Sequence, residues 1–294
     1  MLFYQVNNFL HKQQNSFKKI NKYFMRYSVL MIICLFLHPL FSFAQKKDTV
    51  IITKNNVNTT VLREGTHRYL VYLKMGKNAT RTQTQFWTRT IKRTDFNGKP
   101  AIEVTQEWED KDSIMHIVKS VSDAKTMQPL YHKTWWKVQT SRTSTTKTVN
   151  ETIVDFLGKR VDYNGRPLSD TDTARLNKTI WAGYQSSLDK FYLNWHLDLE
   201  TFPLLPHKKG VTFVVPFYDP GTASGYMQVA YTVAGSAILM GYNDQKIDCW
   251  LLVHESKGNK EVFWVSKKTK EVLKLEQEIN GSMYRFKVKL GFSI

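Results

Sequence analysis

Cysteine is almost absent from this sequence, with two residues in 294. Cys34 lies inside an apolar stretch near the start, and Cys249 stands alone in the rest, so no intramolecular disulfide can form once that first stretch is removed. Cys249 sits in the strand-like run Lys246–Val253 and reads as a small buried hydrophobe rather than a reactive thiol. Acidic residues are missing from positions 1–44, which carry five basic ones. The apolar run Val29–Leu37 is far shorter than the roughly 20 residues of a membrane-crossing helix. The familiar catalytic signatures are missing as well. There is no phosphate-cradling glycine loop and no Cys-x-x-Cys. Gly221-Thr-Ala-Ser-Gly225 has its serine one place late for a nucleophile elbow and reads as a loop.

The ionisable pairs that remain have plain readings. His196 and Glu200 are one helical turn apart, but nothing nominates a third ligand, so no metal and no cofactor are expected. Glu103, Glu107, Glu109 and Asp110 crowd one strand, where Glu103 opposite Lys92 suggests a solvated sheet surface rather than a glycosidase pair. No catalytic residue is assigned, and the chain reads as a non-enzyme.

What is present begins with a targeting segment. From Met25 the chain has a basic start, the run Val29–Leu37, the breaker Pro39 and a small residue at Ala44. That is the build of a cleavable signal peptide. Residues 1–44 are therefore read as signal, with 1–24 a spurious extension ahead of a true start at Met25. The protein is expected to be exported, to the periplasm or in association with the outer membrane. Taking five from the 42 basic residues, against 25 acidic ones, leaves the remainder near +12. Such a charge favours anionic partners: lipid, lipopolysaccharide or a lipoprotein. Nucleic acid would be the usual partner of a basic chain, and export argues against it.

Residues 45–294 read as a single β-rich domain, with 45–165 and 209–294 legible as two related half-sheets joined by a helical segment. Asn97-Gly98 predicts a two-residue hairpin in which Trp87 faces Trp108, Ile91 faces Val104 and Lys92 faces Glu103. Asn280-Gly281 predicts a second, with Leu273 opposite Val288, Leu275 opposite Phe286 and Glu276 opposite Arg285, leaving Lys274 against Lys287 as a mismatch. Leu275 and Phe286 on one face are walls of the expected cavity. Further strands are expected at 49–54, 59–64, 67–74, 112–120, 129–138, 147–156, 211–218, 226–240, 246–254 and 260–265. Bulky residues at 181, 184, 188, 191, 192, 195 and 199 have helical spacing, with capping residues at Asp170–Thr173 and Pro203 and Pro206 beyond. The fold class is thus mainly β: a curved antiparallel meander, half-barrel or open barrel, packed around one helix at about 180–200. Asp123-Ala-Lys-Thr-Met-Gln-Pro-Leu130 echoes Ser266-Lys-Lys-Thr-Lys-Glu-Val-Leu273, through either shared ancestry of two half-sheets or convergence on one turn.

The turn at Thr126–His132, the stretch Leu204–Val211 and the closing run Phe263–Lys274 resemble a family of uncharacterised exported proteins of Bacteroidota-type Gram-negative bacteria. The likeness covers roughly 120–294. More remotely the meander is similar to the half-barrel outer-membrane lipoprotein carriers. That likeness implies a bent sheet wrapping a helix and enclosing an acyl chain; it transfers no ligand residue.

Aromatic residues are the last signal. Trp87 and Trp108 pair across a hairpin, and Trp181, Tyr184 and Trp195 stripe the expected helix. Trp135 and Trp136 must point to opposite faces of a strand, which takes one of them off the core. With Lys208 and Lys209 at a basic rim, these nine residues are the candidate ligand-binding set. The leading expectation is a non-enzymatic envelope protein binding an amphiphile or envelope partner through an aromatic concave face. The alternatives are a scaffold without a small ligand and a hydrolase acting on glycan or lipid.

Overall fold

The computed structural model describes residues 48–291 apart from 112 and 140–146, so the expectations for 1–44 lie outside the described residues. A first run of strands comprises β1 (Thr49–Ile51), β2 (Gly65–Lys74), β3 (Arg81–Phe96), β4 (Lys99–Asp110), β5 (Ser113–Asp123), β6 (Pro129–Gln139), β7 (Lys147–Asp155), β8 (Arg160–Tyr163) and β9 (Arg166–Pro167). Helix α1 (Arg175–Ser187) follows, then β10 (Leu193–Asn194) and the short helix α2 (Asp198–Thr201). A second run comprises β11 (Thr212–Tyr218), β12 (Met227–Met240), β13 (Lys246–Ser256), β14 (Asn259–Ser266), β15 (Val272–Ile279) and β16 (Met283–Leu290). All sixteen strands join one open, curved sheet, and the mainly β fold class stands. From β2 to β9 and from β11 to β16 each strand pairs antiparallel with the next; β16 pairs with β2 and stitches the two runs together. Residues 59–61 form a 3₁₀ turn, not the strand expected at 59–64. Among the described residues no helix is long and apolar enough to cross a membrane.

The first hairpin has the register its sequence predicts, with Trp87 opposite Trp108, Ile91 opposite Val104 and Lys92 opposite Glu103. Asn97 and Gly98 supply its two positive φ angles, 53° and 76°. Glu103 is buried rather than solvated, held by Lys92 at 2.8 Å and Lys119 at 3.0 Å.

The second hairpin is displaced by one residue. Its loop holds three residues, Asn280, Gly281 and Ser282, and the Ser282 N–H reaches the Ile279 carbonyl at 3.2 Å. Leu275 therefore faces Lys287, Glu276 faces Phe286, and Lys274 faces Val288. A slip of one residue turns a strand over. Leu275 points into the core and Phe286 points out, where it stacks on Tyr72 at 5.0 Å. The walls expected of Leu275 and Phe286 together do not exist; Lys287 and Lys289 stand inside instead, 4% exposed each. Lys287 pairs there with Asp198, and Lys289 with Glu271. The Lys274–Lys287 mismatch is removed by the same shift.

The helix at 181–199 is corrected too. α1 begins and ends earlier, and Asp189 takes a left-handed φ of 57° just after it. Beyond that point the backbone finds partners outside a helix. The Gln128 side chain accepts from the Tyr192 N–H at 3.2 Å and donates to the Lys190 carbonyl at 3.3 Å, while β10 pairs parallel with β11. α1 packs on β7 and β8 through Ile180 and Tyr184, and it carries no part of the main core. A Cβ on Gly183 would meet the Ser224 carbonyl at 2.6 Å, which fixes glycine where α1 crosses the loop after β11.

The sheet's hollow is filled by the extended and turning segment Leu193–Leu205. Its Leu193, Leu197, Leu199, Phe202, Leu204 and Leu205 are all buried against β2, β3, β4 and β11–β15. Phe202 is central, with ring centres 4.3 Å from Phe263 and 4.6 Å from Tyr231.

The two echoing turns have one geometry. Met127 N–H bonds to Asp123 O and Lys270 N–H to Ser266 O, each at 3.0 Å, with left-handed φ of 59° at Met127 and 60° at Lys270. One joins β5 to β6, the other β14 to β15. In each run counted from β2 or β11 these are the fourth and fifth strands.

Truncating Phe202 to alanine leaves a void that close-packed neighbours refill only in part. Urea unfolding of the Phe202→Ala variant should show a loss of about 3–5 kcal/mol, whereas Phe286→Ala on the outer face should cost less than half of that.

Candidate functional site

Between the inserted segment and the sheet lies a cavity of about 280 Å³. Its walls come from β3 (Trp87, Arg89), β4 (Trp108), β6 (Trp136), β11 (Phe217), β12 (Tyr231), β14 (Glu261, Phe263), β15 (Leu275, Gln277) and β16 (Arg285, Lys287). The inserted segment adds Trp195, His196, Asp198 and Phe202, and Asp219 follows β11. Trp108, Gln277 and Arg285 each stand two residues from a strand end, at Asp110, Ile279 and Met283. The cavity therefore sits toward the end of the sheet that carries the β4–β5 and β15–β16 turns.

The sequence places these groups by strand alternation. Trp87 and Arg89 are two apart on β3 and share a face; so are Gln106 and Trp108 on β4. Trp87 and Trp108 stack with ring centres 3.7 Å apart and nearly parallel planes, and Lys287 Nζ lies 4.6 Å over Trp87. Trp136 meets the edge of Trp108 at 5.2 Å and stacks on His116.

A buried charge network holds the cavity floor. Arg89 is fully buried and grips Glu200 with two hydrogen bonds, Nε to Oε1 at 2.8 Å and Nη2 to Oε2 at 2.5 Å. Its Nη2 also donates to the His196 carbonyl at 2.8 Å, which the Gln106 amide shares at 3.0 Å. Asp198 lies 3.6 Å from Arg89 and pairs with Lys287. Burial works against the Asp198 carboxylate, yet Lys287 and Arg89 hold it below the usual carboxylate range. Burial pulls the Lys287 ammonium down to about 8, against the attraction of Asp198. On the opposite wall Glu261 accepts from the Tyr231 hydroxyl at 2.9 Å and from the Gln277 amide at 2.5 Å.

On a third side His196 lines the cavity, with His116 and His132 buried behind it. His196 Nδ1 and Asp219 Oδ1 are 2.5 Å apart. His132, fully buried, bonds to Ser120 and Asn194, and His116 bonds to the Trp135 carbonyl at 2.9 Å. Burial, aided by His196, lowers His116 to about 3 and keeps His132 well below its ordinary value. His196 and Glu200 do not converge on one point: one faces Asp219 and the other Arg89. Among the described residues no group of three or more histidine, cysteine or acidic side chains is placed to hold a metal ion.

Of the nine candidate residues, Trp87, Trp108, Trp136 and Trp195 line this cavity. Trp135 is on the opposite face of β6 from Trp136, level with exposed Ile117. Trp181 and Tyr184 belong to the separate α1 cluster. Lys208 and Lys209 are exposed just before β11, whereas Phe217 and Asp219 of the cavity are at its other end. Cys249 is fully buried, and burial pushes its thiol up to about 11. The polar wall formed by Arg89, Asp198, Glu261, Gln277, Arg285 and Lys287 was not expected. One signal for it was legible: the lysine opposite lysine in the assumed register of the last hairpin.

A sequence profile described as "Protein of unknown function (DUF3108)" matches residues 68–289. No curated protein matches the chain. Among solved structures, a beta-barrel-like protein of the domain of unknown function DUF1849 from Brucella abortus is similar. It is 6% identical, covers 79% of this chain and 99% of its own, and has a TM-score of 0.32.

Two outcomes test the network. Glu200→Gln leaves Arg89 buried without its carboxylate, and chemical unfolding should show a loss of about 3–5 kcal/mol. For His116 the folded pKa of about 3 lies below the unfolded value near 6.5. The unfolded state therefore binds the extra proton, and stability is intact above pH 6.5 and drains away as pH falls toward 3. A His116→Gln variant should lose less stability than the parent across that window, read by denaturant midpoints at pH 7, 5.5 and 4.

Proposed function

The chain belongs to the DUF3108 family, whose function is unknown, and from its own cavity we propose a non-enzymatic cell-envelope protein that binds a small amphiphile. The observation that carries this reading is the cavity itself. Protein interiors are packed to crystal-like density, and voids much larger than a water molecule are few. A space of about 280 Å³ beside a tightly filled core calls for an occupant, and it approaches the lower bound of small-molecule sites, roughly 300 Å³. Trp195, Phe217 and Phe263 offer it apolar surface and Gln277, Arg285 and Glu261 offer it polar groups, the combination that an amphiphile requires.

The size of the occupant follows from the inserted segment. Because Leu193–Leu205 fills the rest of the hollow, the described residues leave no room there for a long acyl chain, and the likeness to lipoprotein carriers goes no further than a bent sheet. The group that enters is compact: a head group or a single ring. Envelope location rests on the signal-like stretch Met25–Ala44, and the basic remainder favours an anionic surface there.

A second reading, hydrolysis of a glycan or lipid, is favoured by one observation, the His196–Asp219 pair at the cavity wall. A histidine oriented by a carboxylate is the arrangement of a general base. The three carboxylates that line the cavity are all engaged, Asp198 by Lys287, Asp219 by His196 and Glu261 by Tyr231 and Gln277, and that favours binding over chemistry.

Native mass spectrometry of the protein extracted from an envelope fraction under mild conditions should show a retained small molecule. Lipopolysaccharide or anionic lipid vesicles should quench its tryptophan fluorescence. Trp136→Ala and Trp195→Ala should each weaken that response by about tenfold. A protein that carries nothing and gives no quenching is a scaffold, and turnover of an envelope lipid lost in His196→Gln would establish the hydrolase.

A further inference from the structure

We infer that Arg285 is the anchor for an oxyanion, a carboxylate or phosphate, on the molecule that occupies the cavity. The inference rests on reading that cavity as a binding site and specifies the chemistry of its occupant.

The case is an accounting of charge around the cavity. Arg89 is matched by Glu200, Lys287 by Asp198, and His196 by Asp219. Glu261 is satisfied by two neutral donors, Tyr231 and Gln277. Arg89 also keeps one buried nitrogen, Nη1, without a hydrogen bond, but Asp198 lies 3.6 Å from it, and Arg285 has no such carboxylate. Among the described residues no carboxylate lies within 4.0 Å of it, and its buried Nε has no hydrogen-bond partner. The Oε1 atom of Gln277, its direct neighbour across the β15–β16 pair, is likewise buried and unpartnered. Buried polar atoms without partners are uncommon and costly, and two side by side on one cavity wall mark where a ligand completes the bonding. The Gln277 oxygen accepts a hydroxyl or amide proton, and the planar guanidinium matches a carboxylate or phosphate with paired donors.

The surroundings set the rest of the molecule. Glu261, Gln277 and Arg285 form one row across β14, β15 and β16, so Glu261 is two strands, or about 9–10 Å, from Arg285. A second anionic group reaching that far would meet a carboxylate. The occupant therefore carries one oxyanion at the Arg285 end, and the remainder is neutral and lies against Trp195, Phe217 and Phe263. Arg285 and Arg89 both stand near enough to Lys287 to disfavour its charge, so a bound oxyanion relieves a repulsion within the site.

Calorimetric titration of the full chain tests this with matched probes: phenylacetate, phenyl phosphate and neutral phenylacetamide. Dihexanoyl phosphatidylglycerol and dihexanoyl phosphatidylcholine stand for lipid head groups. The acids should bind at least about tenfold more tightly than the amide. Arg285→Met should bring that ratio to about one, while Arg285→Lys should keep part of it. Phosphatidylglycerol binding better than phenyl phosphate assigns the oxyanion to a lipid; the reverse order assigns it to a soluble acid. Equal affinity for acid and amide in the unaltered protein overturns the role of Arg285 but leaves the cavity as a binding site. Failure of every probe to bind overturns both.

Discussion

The grip of Arg89 on Glu200 is the interaction on which the interior of this protein depends. A fully buried guanidinium is tolerated only with a carboxylate in close, two-point contact. Here the carboxylate belongs to the segment that crosses the hollow. The same arginine takes the His196 carbonyl, so one side chain fixes both the turn bearing Trp195 and His196 and the start of α2. The position of Asp198 follows, and with it the pairing of Lys287. Floor and wall of the cavity are in this sense a single electrostatic assembly built on one arginine of β3.

β16 shows the other half of that assembly. It turns Arg285, Lys287 and Lys289 inward and Tyr284, Phe286 and Val288 outward, against the common rule for a strand of a sheet with one covered face. Partners inside reverse the preference. Asp198 and Glu271 meet two of the cations, while the outward rings are half covered by neighbours such as Tyr72. A polar cavity lined by a basic strand is the result. The depressed lysine at its centre records burial first, and the nearby charges of Arg285 and Arg89 after it.

Much of the architecture is legible from local chemistry. Asn97-Gly98 dictates its hairpin because two positive φ angles leave one loop length, and Trp87 then has only Trp108 to face. Asn280-Gly281 carries the same dipeptide, but Ser282 joins the loop, and alternation cannot tell a two-residue from a three-residue turn. The choice was made by Asp198, 89 positions from Lys287, together with Glu271 just ahead of β15. The helical spacing from Trp181 to Leu199 failed for the same kind of reason. Apolar periodicity describes what is buried, but Gln128 and the edge of β11 claimed the backbone beyond Asp189. Aromatic content pointed to four of the cavity's rings; the ionic wall had no local signature, because its two ion pairs span long stretches of chain, 111 positions for Arg89–Glu200 and 89 for Asp198–Lys287.

The final strand of the chain lies at the middle of the sheet, between β15 and β2. Until residue 290 is available, β2–β9 and β11–β15 remain separate ribbons, each with a raw edge of free amides and carbonyls at β2 or β15. Synthesis delivers β16 after every other described strand. The early ribbon is open to wrong pairing in the meantime, and deletion of the eight residues of β16 would divide the sheet in two rather than shorten it.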